Sequence, residues 1–237
     1  MRLTYFGHSC FLLQVAGPPS TASAKQEVRL VLDPYLRENP HGSVDPATVP
    51  CDFVLCSHAH DDHIADALNL ARLHKAVIVA PYELALHFAS HGADVLDLMP
   101  GGGLNLPWGR IQMTPAVHSS SLELPDGETK SMGVAAGYVI RADGRAVYHA
   151  GDTALFGDME LIGRSGLDLA LLPIGDFYTM GATDAVEALK LLRPRLAVPM
   201  HYNTSDRIKA DPHAFATRAA ETGHRVRVMS AGESLEI

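Results

Sequence analysis

The residues best suited to chemistry stand together at Ser57-His58-Ala59-His60-Asp61-Asp62-His63. His58 and His60 are two positions apart, so an extended backbone points both imidazoles the same way. Asp62 and His63 follow where a helix is expected to begin; the backbone has turned there, and the next donors can face a second point nearby. Three imidazoles and the Asp62 carboxylate supply the nitrogen and oxygen ligands that suit Zn²⁺ and similar ions. A polar loop with incidental histidines is the plainer reading. Its placement directly after the apolar run Phe53-Val54-Leu55-Cys56 argues against that. Three other strand ends offer partners: His118 follows the run at 113–117, Asp152 the run at 146–151, and His201 the run at 196–200. Each alone is weak, since a histidine closing a strand is more often only hydrogen-bonded. Together they complete two coordination shells.

The elements that must position these residues alternate between short β-branched or aromatic runs and longer amphipathic stretches. Residues 2–6 and 10–15 read as a hairpin around Gly7-His8-Ser9, and 28–33 as a strand stopped by Pro34. A polar loop rich in turn formers is expected over 17–24. Residues 52–57 form a buried strand leading into the histidine motif, and a helix runs from Asp62 to about Leu73. Further strands are expected at 77–80, 111–116, 133–141, 145–149, 168–173, 196–200 and 226–229, with Asp143-Gly144 turning a hairpin. Helices are expected from Pro81, over 183–192, and over 211–221. Gly101-Gly102-Gly103 follows no strong strand, so it reads as a loop, and a dinucleotide fold loses its phosphate motif. Two packed sheets with helices outside each are the expected α/β architecture. No linker divides residues 1–237, which are expected to form a single domain.

Composition narrows the function. Apolar residues are 47% and charged residues 19% of the 237, which suits a folded core and not a disordered chain. No run approaches the roughly 18 apolar residues of a membrane span, and the first eight residues do not resemble a signal peptide. The net charge of −8 and the lack of a Lys/Arg cluster disfavour a nucleic-acid partner. Cys10, Cys51 and Cys56 form no CxxC pair, which fits a reduced, cytoplasmic compartment. Of the 13 histidines, His41, His74, His87, His91, His213 and His224 lie in loops or on polar helix faces and are read as ordinary surface residues.

The order HxHxDH, a lone His, Gly-Asp-Thr and a final His resembles the metallo-β-lactamase superfamily across nearly the whole chain, from Thr4-Tyr5-Phe6-Gly7-His8-Ser9 to Pro199-Met200-His201-Tyr202-Asn203-Thr204. The flanking motifs, among them Leu172-Pro173-Ile174-Gly175-Asp176 with Thr179-Met180-Gly181, are similar to a branch of metal-dependent hydrolases related to ascorbate-phosphate lactonases. The resemblance implies a four-layer αββα sandwich with two divalent cations at one edge of the sheets. It places His58, His60 and His118 on one cation, Asp62, His63 and His201 on the other, and Asp152 between them. Zn²⁺ is the first expectation, ahead of Mn²⁺, Fe²⁺ or Ni²⁺. Di-iron redox relatives carry glutamate where His60 stands, which leans this chain toward hydrolysis.

The implied reaction is attack by a metal-bridging hydroxide on a lactone, ester or phosphodiester bond of a small-molecule substrate. Asp62 and His8 are the candidate catalytic residues; for His8, a proton donor, a substrate contact, an extra metal contact and a structural role all remain open. Asp61 is read as exposed or bonded to backbone, and His149 as packing beneath the site or orienting Asp152. Ser57, Thr153 and Asp176 are candidates to orient the ligands. Tyr178, Met180 and Tyr202 are core residues or cleft lining. A nuclease on the same scaffold and a non-catalytic metal module are the competing readings. A homo-oligomer is left open.

Overall fold

The computed structural model describes residues 1–18, 27–124 and 126–237, so most of the loop expected over 17–24 lies outside the described residues. In chain order the strands are β1 (Arg2–Gly7), β2 (Cys10–Ala16), β3 (Glu27–Leu32), β4 (Phe53–Leu55), β5 (Val77–Pro81), β6 (Val95–Leu98), β7 (Gly103–Leu106), β8 (Gly109–Pro115), β9 (Ser121–Glu123), β10 (Thr129–Ser131), β11 (Ala136–Ala142), β12 (Arg145–His149), β13 (Leu169–Pro173), β14 (Leu196–Met200) and β15 (Ser234–Glu236). The α-helices are α1 (Asp61–Ile64), α2 (Ala67–His74), α3 (Tyr82–Ser90), α4 (Met159–Gly163), α5 (Ala182–Leu192) and α6 (Pro212–Glu221).

One sheet has the order β15-β1-β2-β3-β4-β5-β6, antiparallel from β15 to β3 and parallel from β3 to β6. The other runs β14-β13-β12-β11-β8-β7, parallel through β12 and antiparallel beyond it. Strand periodicity sorts the side chains into layers. Leu30, Leu32, Leu55 and Val79 share an apolar cluster with Tyr138 and Ile140 of the second sheet. Their alternating neighbours Val31, Val54 and Ile78 pack instead with Leu70, Leu84 and Phe88 of α2 and α3. Helix α5 packs against β13, and α4 and α6 pack against α5. The layers are therefore helix, sheet, sheet, helix, the expected αββα sandwich. Each fully buried Leu, Ile or Phe in these layers contributes about 1.5–3 kcal/mol, enough to make the strand ends rigid supports.

Several elements depart from the sequence reading. The helix expected from Asp62 to Leu73 is two helices, α1 and α2. Asp66 breaks it: its carboxylate accepts from the Leu36 and Arg37 backbone N–H groups at 2.8 and 3.0 Å, pulling the chain out of helical line. The strand expected at 226–229 is a single parallel bridge from Val226 to Ala197; β15 is the terminal strand, on β1. Gly103 begins a strand rather than ending a loop. The β6 strand, the β9–β10 ribbon and α4 have too little apolar periodicity to be read from the sequence.

The two sheets are also tied by a polar bond near the motif. Tyr138 on β11 donates its hydroxyl proton across the core to the Cys56 carbonyl at 2.7 Å, with the Val79 carbonyl at 3.2 Å. Burial pushes the Tyr138 hydroxyl well above its usual range, so it stays a donor. Tyr138→Phe is expected to leave the Cys56 carbonyl without this partner, while Val79 keeps its bond from the Cys56 N–H, and to lower unfolding stability by about 1–3 kcal/mol, read from a denaturant midpoint. An unchanged midpoint would show that the bond is dispensable.

Candidate metal centre

Cys56 bonds back to β5 through its N–H to the Val79 carbonyl, so pairing continues one residue past β4 before the chain bends through Ser57, His58 and Ala59. The unbroken extension expected across His58 and His60 is thus interrupted, yet the bend still brings their rings together, 4.5 Å apart at the centroids. Among the described residues, three groups of His and Asp donor atoms lie within 4.8 Å: His58, His60 and His118; His8, Asp62, His63 and His201; and His58, His63 and Asp152. Every residue expected to bind metal is in one of them. His41, His74, His87, His91, His213 and His224 are in none.

In the first group His58 Nε2 lies 2.9 Å from His60 Nδ1, which lies 3.3 Å from His118 Nε2. Asp152 joins this group to the second. Its Oδ2 is 2.9 Å from His201 Nε2 and 3.7 Å from His118 Nε2, while its Oδ1 is 3.4 Å from His63 Nε2. Asp62 lies across from it, with Oδ1 3.9 Å from His63 Nε2. Two backbone features make this convergence possible. Gly151 has φ +61°, and a Cβ there would come 2.6 Å from the Ala136 carbonyl oxygen and 2.8 Å from Ser57 Cβ, so only glycine lets Asp152 sit this close to the motif. The His201 N–H donates to the His8 carbonyl at 2.9 Å, stitching the end of β14 to the β1–β2 turn.

Hydrogen bonds fix several protons. The Ser57 hydroxyl donates to Asp33 Oδ2 at 2.7 Å and accepts from His58 Nδ1 at 2.9 Å. His58 Nε2 is then a bare lone pair facing His60. His63 Nδ1 donates to the same Asp33 oxygen at 2.8 Å, so its Nε2 faces Asp62 and Asp152. Burial holds His58 well below the usual imidazole range, and burial likewise lowers His60 and His118. Burial opposes the charged form of His63 too, but the carboxylates of Asp152, Asp33 and Asp62 outweigh it and raise His63 well above that range. Asp152 is the mirror case: burial would raise it, yet His201 and His63 hold it well below the carboxylate range.

These features fit divalent cations. His63 Nε2 and Asp152 Oδ1 are buried without a hydrogen-bond partner, a condition native proteins rarely tolerate without a water or an ion to satisfy them. Among the described residues, Asp33, Asp62 and Asp152 form ion pairs with histidines and with no Lys or Arg. A cation would meet carboxylates that no described Lys or Arg neutralises and the inward lone pair of His58, and it would take the place of the proton that those carboxylates hold on His63.

The other sequence candidates divide. Ser57 is wired to His58 as expected. Thr153 instead pins backbone, its Oγ1 accepting from the Val117 N–H at 3.0 Å. Asp176 bonds only locally, to the Phe177 N–H. His149 lies beneath the centre, 3.8 Å from Asp33 Oδ2, and bonds the Ser9 carbonyl and the Gly151 N–H rather than Asp152. Met180 and Tyr202 are buried core, whereas Tyr178 is exposed and accepts from Arg207 at 2.6 Å. Asp61 is exposed. His8 is buried beside the second group, with Nε2 3.1 Å from Asp62 Oδ2 and Nδ1 2.8 Å from Thr204 Oγ1. Burial, with His201 and His63 nearby, lowers its imidazole to about 4. A neutral ring giving Nε2–H to Asp62 must accept the Thr204 hydroxyl proton at Nδ1.

Asp33 escapes the sequence reading, which treats it only as the last residue of a strand. A carboxylate closing an apolar run just before Pro34 nevertheless carries the same strand-end signal that marks His118, Asp152 and His201. Thr204 carries no comparable signal.

Fold and site together define a metallo-hydrolase of the metallo-β-lactamase fold. Residues 28–202 match the beta-lactamase superfamily domain. The chain is 68% identical over 237 residues to a UPF0173 metal-dependent hydrolase of Opitutus terrae, covering all of both chains, and 42% identical to one from Thermus thermophilus, covering 100% and 99%. A metallo hydrolase from the archaeon Ignicoccus hospitalis has a closely similar structure, with a TM-score of 0.84 and 38% identity over 100% of this chain and 98% of that one. This chain therefore belongs to the UPF0173 metal-dependent hydrolases of the beta-lactamase superfamily.

Asp33→Asn removes one charge and puts an NH₂ where only acceptors fit, opposite Ser57 and His63 donors. Metal affinity is expected to fall about 10–100-fold, measured by competition with a chromophoric chelator. Wild-type affinity in the variant would show that Asp33 does not orient the ligands.

Proposed function

We propose that this hydrolase cleaves a lactone, ester or phosphodiester bond of a small-molecule substrate at a two-cation centre. His58, His60 and His118 would hold one cation, Asp62, His63 and His201 the other, and Asp152 would serve both. The observation that carries this reading is Asp152, whose two oxygens reach histidines of both groups. An all-nitrogen-and-oxygen donor set favours Zn²⁺ among the common ions. When bound, such a pair lowers the pKa of water from 15.7 to roughly 7 and stabilises charge developing on a carbonyl or phosphoryl oxygen.

The chain's own residues supply placement. Asp33 accepts at the far side of both rings, through Ser57 for His58 and directly for His63, so the inward Nε2 of His58 is a free lone pair and the proton that His63 must give up on ligation sits at its inward Nε2. His8 donates from Nε2 to Asp62 and is anchored at Nδ1 by Thr204, so it positions Asp62 and brings one N–H donor close to the centre. A closed structural site would spend its ligands on a single four-coordinate ion. Seven donors shared between two ions leave positions for water and substrate.

The zinc-loaded protein should turn over at least one member of a panel of lactones, carboxylic esters and bis(p-nitrophenyl) phosphate, and a chelator should abolish that turnover reversibly. His60→Ala and Asp152→Ala should each lower kcat/KM by more than about 100-fold, since losing a mere supporting residue already costs 10–100-fold, and should lower bound zinc by elemental analysis. Two tightly bound ions with no turnover across the panel would instead favour a non-catalytic metal module.

A further inference from the structure

What the centre admits depends on the cleft above it, and any selection there rests on the hydrolase reading. Beside the imidazole groups lies an open cleft of about 440 Å³, the size of a small-molecule site. His60 and Asp62, one from each half of the centre, line it, so a molecule bound there touches both halves. Its walls carry Tyr35, Glu38, Asp61 and Glu123, the last from the β9–β10 ribbon that stands apart from both main sheets. No Lys or Arg lines the cleft among the described residues. Nor does any described residue pair with the carboxylates of Glu38, Asp61 or Glu123, which are all exposed to the cleft's solvent.

Charge counting decides the sign of the field. Two divalent cations would bring four positive charges. Asp33, Asp62 and Asp152 bring three negative charges, and Glu38, Asp61 and Glu123 bring three more. The loaded centre and its cleft are left two charges negative, and with one cation four. An open, low-dielectric concavity of one sign concentrates ligands of the other sign and repels like charge. A phosphodiester or a carboxylate-bearing ester would have to share the cleft with three unneutralised carboxylates.

We infer that the cleft selects a carboxylic ester or lactone bearing a cationic nitrogen, an ammonium, quaternary ammonium or guanidinium group, beside the bond to be cleaved, with Glu38 and Glu123 reading that charge. Hydrolysis is balanced by water alone: the acyl C–O bond breaks, a C–O bond to water oxygen forms, and the proton from water goes to the departing alkoxide. The cation takes no part in that step and serves to hold the substrate over His60 and Asp62.

Three acetate esters test the inference on the zinc-loaded protein: acetylcholine, its neutral isostere 3,3-dimethylbutyl acetate, and anionic 4-acetoxybutanoate. At low salt kcat/KM for the cation is expected to exceed that for the neutral ester by about tenfold or more, with the anion last. The ratio should shrink several-fold in the Glu38→Gln/Glu123→Gln double variant, and in wild type at about 0.5 M salt. Equal rates, an anion preference, or an undiminished ratio in the double variant would overturn it. Binding of phenyltrimethylammonium against benzoate, followed by NMR titration, gives a readout independent of turnover. If no ester is hydrolysed but the cation binds through Glu38 and Glu123, charge selection stands and the ester chemistry falls. Hydrolysis without charge preference does the reverse, and the absence of both removes both.

Discussion

The structure is organised around an electrostatic conflict: carboxylates and imidazoles are gathered where no described Lys or Arg pairs with them, and Asp33, Asp152, His58 and His63 among them are buried. Burying one unpaired carboxylate costs several kcal/mol even after relaxation. Here Asp33 and Asp152 are both buried and share histidines as their ion-pair partners. His63 carries the strain most visibly, since three carboxylates drive it toward the protonated form that a ligand cannot keep. A cation replaces that proton and resolves the conflict. Metal binding and folding are coupled wherever ligands are brought together by the native state alone, and the candidate ligands come from beyond the ends of β4, β8, β12 and β14.

Rigid parts and strained parts are distributed accordingly. The strands that end at the centre are largely buried, which fixes the positions of the side chains just beyond them. The turns that aim those side chains take the unfavourable backbone: His8, His201 and Asn203 have φ between 54° and 58°, in the left-handed region non-glycine residues seldom occupy. Asp176 and Phe177 share it in the neighbouring loop. Such conformations cost on the order of 1–3 kcal/mol each and persist where surrounding structure over-determines them. The bond between His201 N–H and the His8 carbonyl couples two of these turns across the sheets, so neither can relax alone.

The sequence discloses the centre better than its surroundings, for a physical reason. A ligand must be a particular residue type at the end of a buried strand, and both conditions leave marks: apolar runs ending in His or Asp. His58, His118, Asp152 and His201 are legible on that basis, as are most core strands. Asp33 meets the same conditions but lies far from the histidine motif in sequence, and only the parallel pairing of β3 with β4 brings it beneath Ser57. The break between α1 and α2 depends on a bond from Asp66 to backbone some thirty residues earlier, which no local pattern records. Strands β6, β7, β9 and β10 are short and partly exposed, so the alternation that reveals a core strand is weak in them.

That asymmetry bears on how one centre can serve different substrates. Asp33, His58, His63 and Asp152 are locked together by contacts of 2.7–3.4 Å, and a change in any one disturbs the rest. Glu38 and Glu123 are exposed and their carboxylates bond to no described residue, one before the motif and one on a ribbon outside both sheets. Substituting them alters the field over His60 and Asp62 without disturbing the ligands' hydrogen bonds. On the inference drawn from the cleft, the chemistry would be confined to the buried strand ends and the choice of substrate to the wall, where a charge can change at little cost to the fold.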